Sequence, residues 1–467
     1  MKPPIHFISF LICMLLFLLS CKKESVITGK DARIELSADT LFFDTVFTST
    51  GSITQGIKIY NTNNQKLVLD RIRIGGGTSS FYSMNVDGTP GNDISNIAID
   101  SGDSLYVYVT VTINPNNDLL PFIVRDSIIV GFNGNERKLQ LEAFGQNANF
   151  LRNILLVGNH NWTAELPYVI LGGLQVDTNA VLTIEKGSRI YLHADAPFVI
   201  DGTLIVNGTK SDSVIFTGDR LDKDYRDLPA SWPGIYFRAT SVNNVITNAV
   251  IKNAYQGVVA DQPASNSSAK LTLRECIIDN MYEAGLSGLS SSIVAENCLI
   301  TNCGINVLLI RGGEYSLTHC TVASYSNLYI PHKNPVLYVN NWDSINNTLF
   351  TFNLNAKFVN NIFWADDGTS VENEVVISKR GTNPFDVNMD NNIYKAISEP
   401  SFTLLSNNLR NQDPLFDSVD VSAGFYNFHI NKNPSPAVDK GLPTNIIIDL
   451  DGKLRNLPPD IGCYEKN

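Results

Sequence analysis

The side chains best suited to chemistry in this sequence are carboxylates lying near basic residues. Hydrolysis of a glycoside needs two or three carboxylates, one as acid and one as nucleophile or base. Calcium-assisted elimination needs clustered Asp and Glu with an Arg or Lys base. Asp366-Asp367 supplies an adjacent pair, but Gly368-Thr369 follows and the stretch reads as a turn. Arg274 and Arg311 could act as bases, with Glu275, Glu296 and Glu314 the acidic residues near them. That pattern reads better as a solvated strand face. Asp449-Leu-Asp-Gly opens like a calcium loop but lacks the later ligand positions, so calcium stays the weaker reading and no other metal or cofactor is expected. The loop from Asp219 to Asp227 mixes both signs of charge and reads as a solvated turn. Outside the first twenty residues the histidines, His160, His193, His319, His332 and His429, are scattered without zinc-site spacing. No complete catalytic set can be assembled, so the reading leans away from an enzyme. The best ligand-binding candidates are aromatic: Tyr325, Tyr329, Tyr338 and Trp342, in a long insertion. Exposed rings stack on sugar faces; the competing reading packs them onto the body of the protein.

The elements that must position these groups announce themselves through Cys276, Cys298 and Cys320, spaced by 22 residues twice over. Each follows a strand-like run, as in Leu271-Thr-Leu-Arg-Glu-Cys276 and Ile293-Val-Ala-Glu-Asn-Cys298. A period of that size means a solenoid, whose repeats bury their faces only by stacking on one another. Aligning the repeats places Ala249, Cys276, Cys298, Cys320, Asn361 and Asn392 at one inward position. Small groups come first, then asparagines, which can bond backbone and the next amide. About ten coils at ~4.8 Å each give a rod of ~48 Å. The longest insertion falls between Ala323 and Asn355, and inserted turns on one face are the usual binding side of a solenoid.

Residues 32–148 have a different texture. Runs such as Leu105-Tyr-Val-Tyr-Val-Thr-Val alternate with period two between turn formers, as half-buried antiparallel strands do. This is the pattern of a β-sandwich. The fold class is therefore all-β: a β-sandwich over 32–148 and a solenoid of stacked strands over 150–467. The net charge of −11, with no basic cluster, argues against nucleic acid as a partner.

Residues 1–20 carry a positive start at Lys2 and an apolar core from Phe7 to Leu19, too short for a comfortable membrane span. The run ends Leu18-Leu19-Ser20-Cys21, which resembles the lipobox of bacterial lipoproteins. The resemblance implies cleavage before Cys21, lipid on its sulfur, a short tether over 21–31 and a place in the cell outer membrane, since Lys22 is not a retention aspartate. Either membrane face remains open. Cys276, Cys298, Cys303, Cys320 and Cys463 are then left, an odd number in an exported protein, and a reduced, buried ladder is expected rather than full pairing.

Three further resemblances fit this outline. Leu41-Phe-Phe-Asp-Thr-Val, Ile57-Lys-Ile-Tyr-Asn and Leu139-Gln-Leu-Glu-Ala-Phe-Gly resemble Ig-like modules of the abnormal-spindle type, which implies a spacer or protein-contact domain. The succession Gly173-Leu-Gln-Val-Asp, Val199-Ile-Asp-Gly-Thr-Leu and Trp232-Pro-Gly-Ile-Tyr-Phe resembles the right-handed parallel β-helix of the pectate-lyase-like superfamily. Enzymes of that superfamily cleave acidic polysaccharides, but the polygalacturonase-like signatures Asn-Thr-Asp, Gly-His-Gly and Arg-Ile-Lys are absent. Residues 411–467, with Gln412-Asp-Pro-Leu-Phe, Ser435-Pro-Ala-Val-Asp-Lys-Gly and Pro459-Asp-Ile-Gly-Cys-Tyr-Glu, resemble the C-terminal part of choice-of-anchor Q β-helix proteins. That implies a terminal coil or cap, with Asp439, Arg455, Asp460 and Glu465 as a charged clasp over the open end. Two readings follow: a surface lipoprotein whose β-helix binds a polysaccharide or another envelope protein, or a lyase or hydrolase acting on acidic polysaccharide.

Overall fold

The computed structural model describes residues 25–48, 51–116, 118–119, 121–366 and 370–466. The lipobox and Cys21 lie outside them, as do the signal region and Asp367. The chain is all-β and divides into two units, one ending at Asn147 and one beginning at Ala148.

The first unit is a sandwich of ten strands: β1 (Ile34–Leu36), β2 (Thr40–Phe47), β3 (Gln55–Asn61), β4 (Leu67–Ile74), β5 (Tyr82–Val86), β6 (Thr89–Pro90), β7 (Asp93–Ile99), β8 (Ser104–Val111), β9 (Phe122–Phe132) and β10 (Asn135–Gln146). One sheet has the order β1-β3-β8-β5-β6 and the other β2-β10-β9-β4-β7. Alternation decides what goes inside. Leu105, Val107, Val109 and Val111 of β8 are buried, while Ser104, Tyr106, Tyr108 and Thr110 point away from the core. They meet Leu139 and Leu141 of β10 and Ile128 and Val130 of β9 in one apolar cluster.

The second unit is a three-faced coil in which each turn of chain contributes one strand to each parallel face. Face A runs from Arg189–Leu192 through Val214–Gly218, Ala249–Lys252, Ile277–Asp279, Leu299–Thr301, Thr321–Ser324 and Ile362–Ala365 to Leu409–Arg410. Face B includes Phe198–Ile200, Ile235–Phe237, Gln256–Asp261, 284–289, 305–310, Leu337–Asn340 and Val375–Ser378. Face C includes Asn244–Thr247, Leu271–Arg274, 291–296, 313–318, Leu354–Val359, Phe385–Asp390 and Leu404–Ser406. Strands Ala284–Glu296 and Ile305–Thr318 pass unbroken from face B to face C. They turn the corner through Ser290 and Arg311, both in the left-handed region (φ 50° and 62°).

Ala249, Cys276, Cys298, Cys320, Asn361 and Asn392 stand in one register just before face A, all buried. The row extends beyond the six, to Val214 at one end and Asn408 at the other. The thiols are free; Cys276 Sγ lies 3.3 Å from the oxygen of Ile246, and adjacent thiols of the row meet one another. The asparagines form a bonded ladder. Asn361 Oδ1 accepts from the Cys320 amide at 2.8 Å, and its Nδ2 donates to the Leu317 carbonyl and to Asn392 Oδ1, each at 3.0 Å. Asn392 repeats the pattern with Phe358 and Asn408. The residue before each of the six rungs, Asn248, Glu275, Asn297, His319, Asn360 and Asn391, has positive φ, a conformation asparagine tolerates well.

The C-terminal segment corrects the expectation of an end cap. It lies along the flank, over face A and the turn row beside it, in a separate apolar cluster. There Phe416, Phe428, Ile430, Ile461 and Tyr464 cover Leu299, Ala323, Ile362 and Ile393. Its bonds to the coils run backwards: Asn391 to Lys440, Asn360 to Leu442, Asn297 to Ile448 and Lys210 to Asp451. The outward residues of face A explain this path. Leu299, Ile362 and Ile393 are apolar where a solvated face would be polar, so they need a cover. Asp439, Arg455, Asp460 and Glu465 do come together, but inside this strap and not over the end of the stack. Arg455 pairs with Glu465 at 3.2 Å with both side chains almost fully buried, and Asp460 accepts from the Asp439 amide at 2.7 Å. Burial holds Arg455 below and Glu465 above their ordinary pKa ranges. Asp449 is fully buried and accepts from the amides of Lys453 and Glu465, so it serves the strap and not a calcium loop.

Candidate ligand-binding groove

The four aromatic residues expected to form a site are not gathered in one. Tyr325 is half-buried against Tyr426 and Phe428 of the strap. Tyr329 is half exposed in the turn between faces A and B. Tyr338 sits on face B beside Leu308 and Val376. Trp342 lies in a hairpin beyond it, with its ring under the Arg380 guanidinium at 3.9 Å and its Nε1 donating to Ser378 Oγ at 3.0 Å. Two of the four rings are therefore occupied in packing. The proposed bases are paired as well: Arg274 with Glu296 at 2.9 Å and Arg311 with Asp343 at 2.8 Å. Asp366 accepts from the Ser326 amide at 3.0 Å and so fixes a turn.

A groove of about 1260 Å³ lies instead on the outer side of face C, reaching the corner with face B. Its floor consists of the outward residues of successive coils. One row in register reads Ser292, Glu314, Asn355 and Asp386; the next reads Val294, Ser316 and Lys357. Strand alternation puts them there. In Glu314-Tyr-Ser-Leu the tyrosine and leucine are buried, and the glutamate and serine are left to the outside. Tyr315 fixes the corner, its hydroxyl donating to the Gly312 carbonyl at 2.8 Å. Gly288 makes room for it, because a Cβ there would lie 2.6 Å from the ring.

Two loops wall the groove. The stretch 263–269 forms one side and is tied down by Asn266, which donates to Asn243 Oδ1 at 2.9 Å. On the other side Thr351 donates to Asn383 Oδ1 at 2.5 Å, and Phe352 and Phe385 add aromatic surface. At the foot of the first wall Lys270 is completely buried, in register with Ser292. Its ammonium donates to the carbonyls of Arg238 and Ala239 at 2.8 and 2.9 Å, and burial pushes its pKa down to about 8.

The chemistry on offer is that of polyhydroxyl recognition: hydroxyls, amides, both signs of charge and flanking aromatic rings along a straight floor. Glu314 and Asp386 are two coils apart, ~9.6 Å between backbones. Catalytic carboxyl groups stand ~5–5.5 Å apart in a retaining glycosidase and ~6.5–9.5 Å apart in an inverting one, so a backbone spacing of two coils suits the second better than the first. Among the described residues no group of three or more His, Cys, Asp or Glu is placed to hold a metal ion. The sequence named Glu314 and Arg311 and pointed to the insertion that carries Thr351 and Phe352, but missed the rest of the groove. The outward positions of the repeat were readable, but the flanking walls come from separate coils.

Residues 168–322 match the family model of the right handed beta helix region. With the three parallel faces, this defines a right-handed β-helix protein bearing a groove on one face. Comparison with curated proteins gives no match. Among solved structures, the chain is similar to a family 123 glycoside hydrolase from Clostridium perfringens, at 9% identity over 26% of this chain and 30% of that one, with a TM-score of 0.20. It is similar to a protein of unknown function from Porphyromonas gingivalis W83, at 10% identity over 27% and 60%, with a TM-score of 0.18. A third is the catalytic domain of a family 87 α-1,3-glucanase, at 10% identity over 76% and 87%, with a TM-score of 0.17. The chain spans less than two thirds of the first two, and at such TM-scores none of the three carries an argument about function.

Proposed function

We propose that this is a lipid-anchored protein of the cell outer membrane that binds a glycan chain along face C of its β-helix. The observation that carries the reading is the groove itself, a straight floor of Ser292, Glu314, Ser316, Asn355 and Lys357 between two built walls. The lipobox-like Leu18-Leu19-Ser20-Cys21 supports the anchor. The test is affinity electrophoresis of the mature protein in gels containing polygalacturonate, alginate, xylan or β-1,3-glucan. Retardation in at least one gel, lost in Ser316→Trp and in Lys357→Glu, is the expected result. Retardation in none, or retardation that both variants keep, overturns the reading.

The spacing of Glu314 and Asp386 favours one second reading, an inverting hydrolase. Incubation with the same polysaccharides decides between them. New reducing ends that vanish in both Glu314→Gln and Asp386→Asn would make the groove an active site; binding without new ends leaves it a binding site.

A further inference from the structure

The first unit carries a second feature that a spacer does not need. Tyr106 and Tyr108 project from β8, the central strand of its sheet, and are 40% and 42% exposed. Their rings are parallel within 4° with centroids 5.7 Å apart, an offset arrangement that leaves part of each face open. Across the strand pair, Tyr108 faces Gly56. A Cβ on Gly56 would lie 3.3 Å from two carbons of the Tyr108 ring, so that ring lies down over the glycine. One side of it packs on backbone and the other faces outward. Tyr106 lies parallel to it, and the Lys58 ammonium sits over its ring, 4.7 Å from the centroid.

Polar groups edge this floor. Asn85 pairs with Tyr108 on the other side of β8, and its Oδ1 is buried with no hydrogen-bond partner among the described residues. Asp87 follows it, and its amide donates to the Tyr106 carbonyl at 3.0 Å. The outward face of Tyr108, with an ammonium over the neighbouring ring and an amide and a carboxylate beside it, matches a pyranose, which offers an apolar C–H face and a rim of hydroxyls. A peptide would find no groove to hold its backbone, and a lipid surface would find Asp87 and few cations.

We propose that the sheet β1-β3-β8-β5-β6 is a glycan-binding platform in its own right, with Tyr106 and Tyr108 as the stacking floor. Its ligand class is a chain of pyranose rings. The site is separate from the face C groove, so either can fail alone.

The whole mature protein is tested for retention on insoluble cellulose, chitin, xylan and β-1,3-glucan. Three variants are compared: Tyr106→Ser with Tyr108→Ser, Tyr106→Phe with Tyr108→Phe, and Ser316→Trp in the groove. The platform predicts retention on at least one polysaccharide, weakened about tenfold or more by the serine pair. The phenylalanine pair and the groove variant should keep it. Equal thermal midpoints for the serine pair and the unaltered protein separate lost binding from lost fold. No retention on any of the four overturns the proposal, as does unchanged retention in the serine pair. Loss of binding to phosphatidylglycerol vesicles in place of polysaccharide also overturns it and makes the sheet a membrane contact.

Discussion

Replacing Asn361 by alanine should destabilise the β-helix far more than replacing Cys320 by alanine, although the two occupy neighbouring rungs of one buried row. Asn361→Ala removes the acceptor of the Cys320 amide and a donor to the Leu317 carbonyl, both in the interior. Each buried group left without its partner costs about 1–3 kcal/mol, so the pair costs roughly 4 kcal/mol before any cavity. Cys320→Ala loses only a small apolar group whose sulfur makes long contacts of 3.5 and 3.6 Å, worth about 1 kcal/mol. The assay is built into the sequence: all four tryptophans, Trp162, Trp232, Trp342 and Trp364, belong to the second unit. Urea unfolding followed by tryptophan fluorescence therefore reports the β-helix alone. A midpoint shift for Asn361→Ala no larger than that for Cys320→Ala would refute the idea that the asparagine ladder carries stability.

Acid should weaken the fold through His319, whose imidazole accepts from Asn360 Nδ2 at 2.9 Å and which burial, reinforced by the Arg455 charge, pushes down to about 3. Below an unfolded pKa of ~6.5 the unfolded chain binds a proton that the folded one refuses, so stability falls with pH until about 3, by roughly 3 kcal/mol at pH 4.5. His319→Asn, which copies the residue at the same turn in neighbouring coils, should flatten that slope in urea midpoints measured at pH 7 and 4.5; an unchanged slope would contradict it. Arg455→Ala leaves Glu465 buried without its cation, a loss of about 3–5 kcal/mol, and should open the strap to limited proteolysis within 411–466 while the coils stay resistant. None of the five buried thiols should react with an aromatic disulfide reagent at pH 8 until denaturant is added, because burial raises the thiols of Cys276, Cys298, Cys303 and Cys463, the last to about 12.

The coil interior was legible because its signal is local and repeated: a 22-residue spacing, small residues at one position, and asparagine where a polar group could bond to the next rung. The alternation in β8 likewise showed which side of the sandwich would be buried. What failed depended on chain path. The motifs of residues 411–465 say that the segment packs, not where, and only the apolar outward residues Leu299, Ile362 and Ile393 pointed to face A. The insertion after Ala323 drew attention because it is long, yet two of its four rings go to packing. The groove arises where short loops from distant coils align. The Tyr108–Gly56 pairing needs the register of two strands separated by fifty residues of chain.

The strap bonds to the coils in reverse order, from Asn391 at Lys440 back to Lys210 at Asp451. A solenoid gains or loses repeats easily, since each contacts only its neighbours. This one is held to a ruler of fixed length. One added coil between Cys298 and Cys320 would carry Asn360 ~4.8 Å away from Leu442 while Asn297 kept its place under Arg455. The strap could then satisfy one end or the other, but not both. Its sequence fixes the number of coils between Lys210 and Asn391, and the length of the groove with it.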